Sequence, residues 1–237
     1  MILILISSRS HITKYILMHV LLLLLTLILL LTLILSVPSI GGASATPSIL
    51  VVGDSLSAAY RLAPEQGWVA LLKQKLEQKG FSHSVVNASI SGETTAGGLA
   101  RLPDLLKRHQ PSLVLIELGG NDGLRGLSLK AMRENLRQMV RLSRTRSAQV
   151  LLFEMRIPSN YGPAFASAFQ NSFSQVAADE SVPLVPFFLA EIAEDESNFL
   201  PDGIHPNGAA QPKMLNAVWP LLAPRLKAIA SKAAAAS

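Results

Sequence analysis

Ser55 lies in "ILVVGDSLSAAY", residues 49–60, where an apolar run ends abruptly on Gly53-Asp54-Ser55. A serine in that place either caps the next helix or stands at a sheet edge as a nucleophile. A hydroxyl becomes a nucleophile only beside a base, and histidine is the usual one. Beyond the leader described below, the chain has three histidines. His83 opens a strand-like run after a turn. His109 sits on a charged helix end, "LLKRHQP", and reads as a solvated side chain. His205 stands in "DGIHP", stiffened by Gly203 and Pro206, with Asp202 in the same turn. A carboxylate so placed can accept from Nδ1–H, fix the tautomer and leave Nε2 facing the serine. Acyl transfer also needs donors aimed at a developing oxyanion, each worth about 2.7–4 kcal/mol. The Ser55 N–H, the Gly92 N–H and the Asn121 side-chain amide are the candidates. Gly92 has a blander reading as a turn residue, and Asn121 as an Asx-turn residue in "GGND".

Positioning such groups requires a scaffold. Residues 48–54, 83–89, 111–122, 148–155 and 182–188 read as strands. Residues 65–80, 94–109, 128–145, 162–181 and 207–230 read as helices. Gly80 stops the first helix and Ser128 caps the third. Pro103 kinks the second or marks its true first turn, and prolines break the last. Strands alternating with helices predict βαβ units and a parallel sheet. The strands are apolar throughout, as expected when helices cover both faces. Ligands of such sheets bind past the carboxyl ends of the strands. The segments there are "GDS", "NASISGETTAGG", "GGND", "RIPSNYGP" and, farther on, "FLPDGIHPNG". All of them fall on one edge.

Composition bounds the rest. Residues 1–45 carry Arg9 and Lys14, then an apolar run over about 15–40, then Ala43-Ser44-Ala45. That is the pattern of a secretory signal peptide. The run is also long enough for an uncleaved anchor across a bilayer of about 30 Å. With no cysteine there is no disulfide, thiolate metal site or lipidated leader. Residues 46–230 are expected to form one domain, with 231–237 a frayed tail. The formal charge of +5 loses Arg9 and Lys14 with the leader, leaving 19 basic and 16 acidic side chains. No dense basic stripe remains, so nucleic acid is not an expected partner.

"GDSLS", "SGET", "GGND" and "DGIHP", in that order, resemble the signature blocks of the GDSL or SGNH hydrolase family. Within it the chain closely resembles periplasmic thioesterase/lysophospholipase enzymes, over about residues 48–222. The resemblance implies a flavodoxin-like three-layer α/β sandwich of about five parallel strands in order 2-1-3-4-5. It implies Ser55 as nucleophile, His205 as base and Asp202 as its orienting partner. Ser55, Gly92 and Asn121 would form the oxyanion hole. Residues 122–127 match a loop that contacts acyl chains, a candidate lid. Leu124, Leu127, Ile157 and Pro158 are the expected acyl-binding residues. The implied substrates are small acyl esters or thioesters, including aryl esters and lysophospholipids, with transient membrane-lipid contact. No cofactor or metal is implied, the chain is expected to act as a monomer, and its location would be periplasmic or secreted.

Asp54 could be taken for a metal ligand, but stiffening of its own turn through backbone N–H groups is the stronger reading. Glu93 and Asp122 read as loop polar residues. A two-metal phosphoesterase would need more histidines than the chain offers. A carbohydrate acetylesterase, or a non-catalytic lipid-binding module, would fit the same fold.

Overall fold

The computed structural model describes residues 3–35 and 46–235. The chain divides into two units, Met1–Ala43 and Ser44–Ser237. In the first, helix α1 (Leu3–Leu35) exposes apolar side chains from Tyr15 to Leu30. The Ala43-Ser44-Ala45 motif lies outside the described residues.

In the second unit the apolar runs become strands because helices seal them. Strands β1 (Ser48–Gly53), β3 (Leu113–Glu117) and β4 (Gln149–Phe153) are buried apart from their first residues in β1 and β4. They pair in parallel, with β2 (Ser84–Asn87) outside β1 and β5 (Leu184–Val185) outside β4, in the order β2-β1-β3-β4-β5. Helices α2 (Trp68–Gln78) and α7 (Gln211–Ala235) pack on each other, as do α3 (Thr95–His109), α5 (Leu129–Thr145) and α6 (Pro163–Asp179) in sequence. The result is the expected three-layer α/β sandwich. Trp68, Phe153 and Phe188 meet in its core, with the two phenylalanine rings perpendicular at 5.3 Å.

Several boundaries differ from the sequence reading, each for a local reason. The third strand ends at Glu117 instead of continuing to residue 122. Gly119 adopts φ +112°, and a methyl group there would come 2.8 Å from the Phe173 ring. The chain turns at that point into a short helix α4 (Gly120–Leu124). The fifth strand shrinks to two residues because Pro183 and Pro186 flank it and cannot donate to a ladder. Helix α3 begins ahead of Pro103, capped by the Thr94 hydroxyl, which accepts from the Gly97 N–H. Helix α7 runs unbroken through Pro220 and Pro224. Burial of Met214, Leu215, Val218, Leu222, Leu226 and Ile229 offsets the missing hydrogen bonds. It also includes 231–235, expected as a loose tail, where alanine favours helix.

His83 is buried with neither ring nitrogen hydrogen-bonded, against the edge of the Phe81 ring. Burial holds its pKa below the usual 6.5. The unfolded chain therefore binds a proton at mildly acid pH that the folded chain refuses, so stability falls as pH drops through 6.5 toward the lowered value. His83→Phe is expected to flatten that acid limb in urea unfolding measured between neutral pH and pH 5, with little change at neutral pH.

Candidate active site

The sheet register sets the site. Gly53 of β1 lies beside Glu117 of β3, so the segments leaving the two strands emerge together. The first delivers Asp54 and Ser55. Its turn closes with Ala58 N–H donating to Asp54 O at 2.9 Å and Leu56 N–H donating to the Asp54 carboxylate at 3.0 Å. The second delivers Asn121 at the start of α4. The Asn121 Nδ2 donates to the other oxygen of Asp54 at 3.1 Å. Asp54 thus stiffens its turn, as its position suggested, and also holds Asn121.

His205 arrives from the loop before α7. Its Nε2 lies 2.9 Å from Ser55 Oγ, and its Nδ1 lies 2.9 Å from Asp202 Oδ2. The Asp202 Oδ1 accepts from the backbone N–H groups of His205 and Ile204, each at 3.0 Å. The Tyr60 ring packs against the imidazole, with centroids 4.2 Å apart. The His205 N–H, helped by the Ile204 N–H and the imidazole and opposed by burial, holds the Asp202 carboxyl down at about 2. It is therefore ionised through the neutral range. The stability it contributes is present above the ordinary carboxylate pKa and fades only as pH falls toward 2.

Gly92 has φ +80°, a conformation that suits glycine. Its loop is tied to the serine turn by Ile90 N–H donating to Gly53 O at 3.1 Å. Arg125 Nη2 donates to Gly92 O at 2.9 Å, and Tyr161 Oη donates to Leu124 O at 3.0 Å. The segment expected as a lid is therefore part helix and fastened at two points.

A cavity of about 650 Å³ opens beside Ser55 and His205. Leu124, Ile157 and Pro158 line it. Leu127 does not. The turn through Gly126 brings Leu127 N–H back to Asp122 O, and the Leu127 side chain is 43% exposed. Met155, Phe187, Leu189 and Phe199 add to the apolar wall and were missed: Met155 closes a run read as a strand, and the other three lie in turns and irregular chain around the short 3-10 turn Glu196–Asn198, where no periodicity marks them. Glu117 was also missed. A lone acid closing the apolar run "LVLIE" is the signal that could have found it.

Asp122 is not a loop residue. It is buried and accepts from the N–H of Thr95 at 2.9 Å and from its hydroxyl at 2.6 Å, joining α4 to the start of α3. Glu93 pairs with Arg101 at 2.8 Å. His109 and His83 lie away from the cavity lining. Asp122→Ala strands two donors and is expected to lose about 1–3 kcal/mol per group left unpaired. Urea unfolding checks this, with exposed Asp104→Ala as a near-neutral control.

The GDSL-like lipase/acylhydrolase family model matches residues 51–211. The chain is 51% identical over 183 residues to esterase TesA of Pseudomonas aeruginosa, covering 77% of this chain and 91% of that one. It is 48% identical over 170 residues to the thioesterase 1/protease 1/lysophospholipase L1 of Escherichia coli K12, covering 72% and 80%. The crystal structure of TesA superposes with a TM-score of 0.73 at 52% identity, over 75% of this chain and 98% of that one. The fold, the order of the motifs and these likenesses agree: this chain belongs to the GDSL-like lipase/acylhydrolase family.

Proposed function

We propose that this chain hydrolyses carboxylic esters and thioesters through an acyl-enzyme on Ser55. The observation that carries the reading is the continuous relay from Asp202 through His205 to Ser55, two hydrogen bonds of 2.9 Å each. Ser55 Oγ attacks the acyl carbonyl as Nε2 takes its proton. The imidazolium, steadied by the ionised Asp202, then protonates the leaving alcohol or thiol. Water repeats the sequence and releases the acid. The Ser55 and Gly92 N–H groups and the Asn121 amide take the charge on the carbonyl oxygen.

The apolar cavity wall supports a fatty-acyl or aryl group, since an acetyl group would leave most of about 650 Å³ unfilled. Relatives named as arylesterase and as thioesterase and lysophospholipase support aryl esters, acyl thioesters and lysophospholipids as the substrate classes. Leu124 and Ile157 would grip the chain. For location, the leader pattern supports export with cleavage after Ala45. The apolar run over about 15–40 carries retention as an anchor as the second reading, although no helix among the described residues is long and apolar enough to cross a membrane. N-terminal sequencing of the exported protein decides, with Thr46 expected as its first residue.

The central test is a panel of para-nitrophenyl esters and acyl-CoA thioesters of rising chain length. Ser55→Ala is expected to abolish turnover of all of them, and a fluorophosphonate to label Ser55. Labelling of another residue would refute the assignment. Asp202→Asn is expected to lower kcat by about 10³–10⁴, with little change in KM, because the imidazole loses its orienting acceptor. Asn121→Ala is expected to lower kcat by about 10²–10³.

A further inference from the structure

Behind the nucleophile turn lies a second carboxyl that the reaction does not use directly. Glu117 is fully buried at the end of β3. Its Oε2 accepts from the Ser57 hydroxyl at 2.6 Å and from the Asp54 N–H at 3.2 Å. Its Oε1 has no N–H or hydroxyl partner among the described residues. Asp54, 3% exposed, is its neighbour and accepts from Leu56 N–H and from Asn121 Nδ2. Among the described residues no Lys or Arg forms an ion pair with either carboxyl. The backbone is shaped around them. A methyl group on Gly53 would come 2.6 Å from Glu117 Oε2, and one on Gly120 would come 3.2 Å from Asp54 Oδ2.

Two buried carboxyls side by side without a cation cannot both be ionised, so one holds a proton. Asp54 is the better anion, because it accepts two N–H bonds, one to each oxygen. Glu117 is the better acid. Its otherwise orphaned oxygen finds a partner only if that oxygen carries a proton and donates to Asp54. Burial pushes both groups up, Asp54 to about 6 and Glu117 well above the usual carboxyl range, because burial and then the Asp54 charge oppose its ionisation.

We propose that Glu117 is a neutral carboxylic acid that donates to the Asp54 carboxylate, and that it thereby fixes the carboxylate on which the Asn121 amide is hung. Glu117 is a positioning residue. It touches no substrate and acts through Asp54 on the amide donor and on the turn that presents Ser55. The catalytic part of this inference rests on the serine-hydrolase reading above, whereas the protonation state does not.

Two measurements test it. The first is the infrared spectrum at neutral pH, where a buried protonated carboxylic acid gives a carbonyl band distinct from carboxylate. The band is expected in the wild type and in Ser55→Ala, and is expected to vanish in Glu117→Gln. Its absence from the wild type, or its survival in Glu117→Gln, would overturn the proposal. The second is kinetics on a para-nitrophenyl ester. Glu117→Met removes the donor while keeping the bulk. It is expected to lower kcat about 10–100-fold with KM changed less than about threefold, the loss typical of a misplaced catalytic group. Glu117→Gln, which can still donate to Asp54, is expected to recover about tenfold of that loss. A Glu117→Met enzyme that is less stable but turns over at the wild-type rate would show a merely structural residue and sink the proposal. So would a Gln variant no better than the Met variant. Should Glu117→Met fail to fold, the band in Glu117→Gln still decides. Should Ser55→Ala stay active, the serine reading falls while the infrared result stands.

Discussion

A parallel sheet sealed between two helix layers admits polar groups cheaply only where its strands end. β1, β3 and β4 of this chain bury nearly every side chain they carry. Backbone hydrogen bonds are met within the ladder, so nothing polar is needed along the strands. At the carboxyl ends the ladder stops and backbone groups become free to organise side chains. The parallel register brings Gly53 and Glu117 level. From that one alignment follow the approach of Asp54 to Asn121, the placement of Ser55 and the meeting with the loop that carries His205. The chemistry is a consequence of where the sheet ends.

The relay itself is short-range on one side and long-range on the other. Asp202 and His205 share a turn whose own N–H groups hold the carboxylate, so that half is built locally. The Ser55 contact depends on the whole domain closing correctly. Asn121 is likewise held by a residue of another strand's turn, not by its own loop. Preorganisation here means that each reacting group has a partner that leaves it little freedom before substrate arrives.

The parallel sheet and the relay were legible in the sequence because they leave periodic or clustered marks, whereas the strand order followed from the family resemblance alone. Continuous apolar runs announce buried strands, and "DGIHP" carries its acid and base within one turn. What was not legible depended on contacts between distant segments. The continuity of α7 through two prolines is decided by the core it packs on, not by propensity. Asp122 reads as a loop residue until Thr95 is seen beneath it. Leu127 looks equivalent to Leu124 in "GLRGL", yet a turn at Gly126 sends it elsewhere. Phe187 and Phe199 join the cavity from irregular chain, where no periodicity tells inside from outside.

The shortness of β5 bears on how the domain meets its own copies. A long terminal strand offers a row of open amide and carbonyl groups on which a second molecule can build. Here Pro183 and Pro186 bracket a pair of residues, and neither proline has an N–H to offer. The ladder stops before a neighbour could extend it. For a chain that must fold without disulfide staples, a blunted rim of this kind is a safeguard against fibrous stacking.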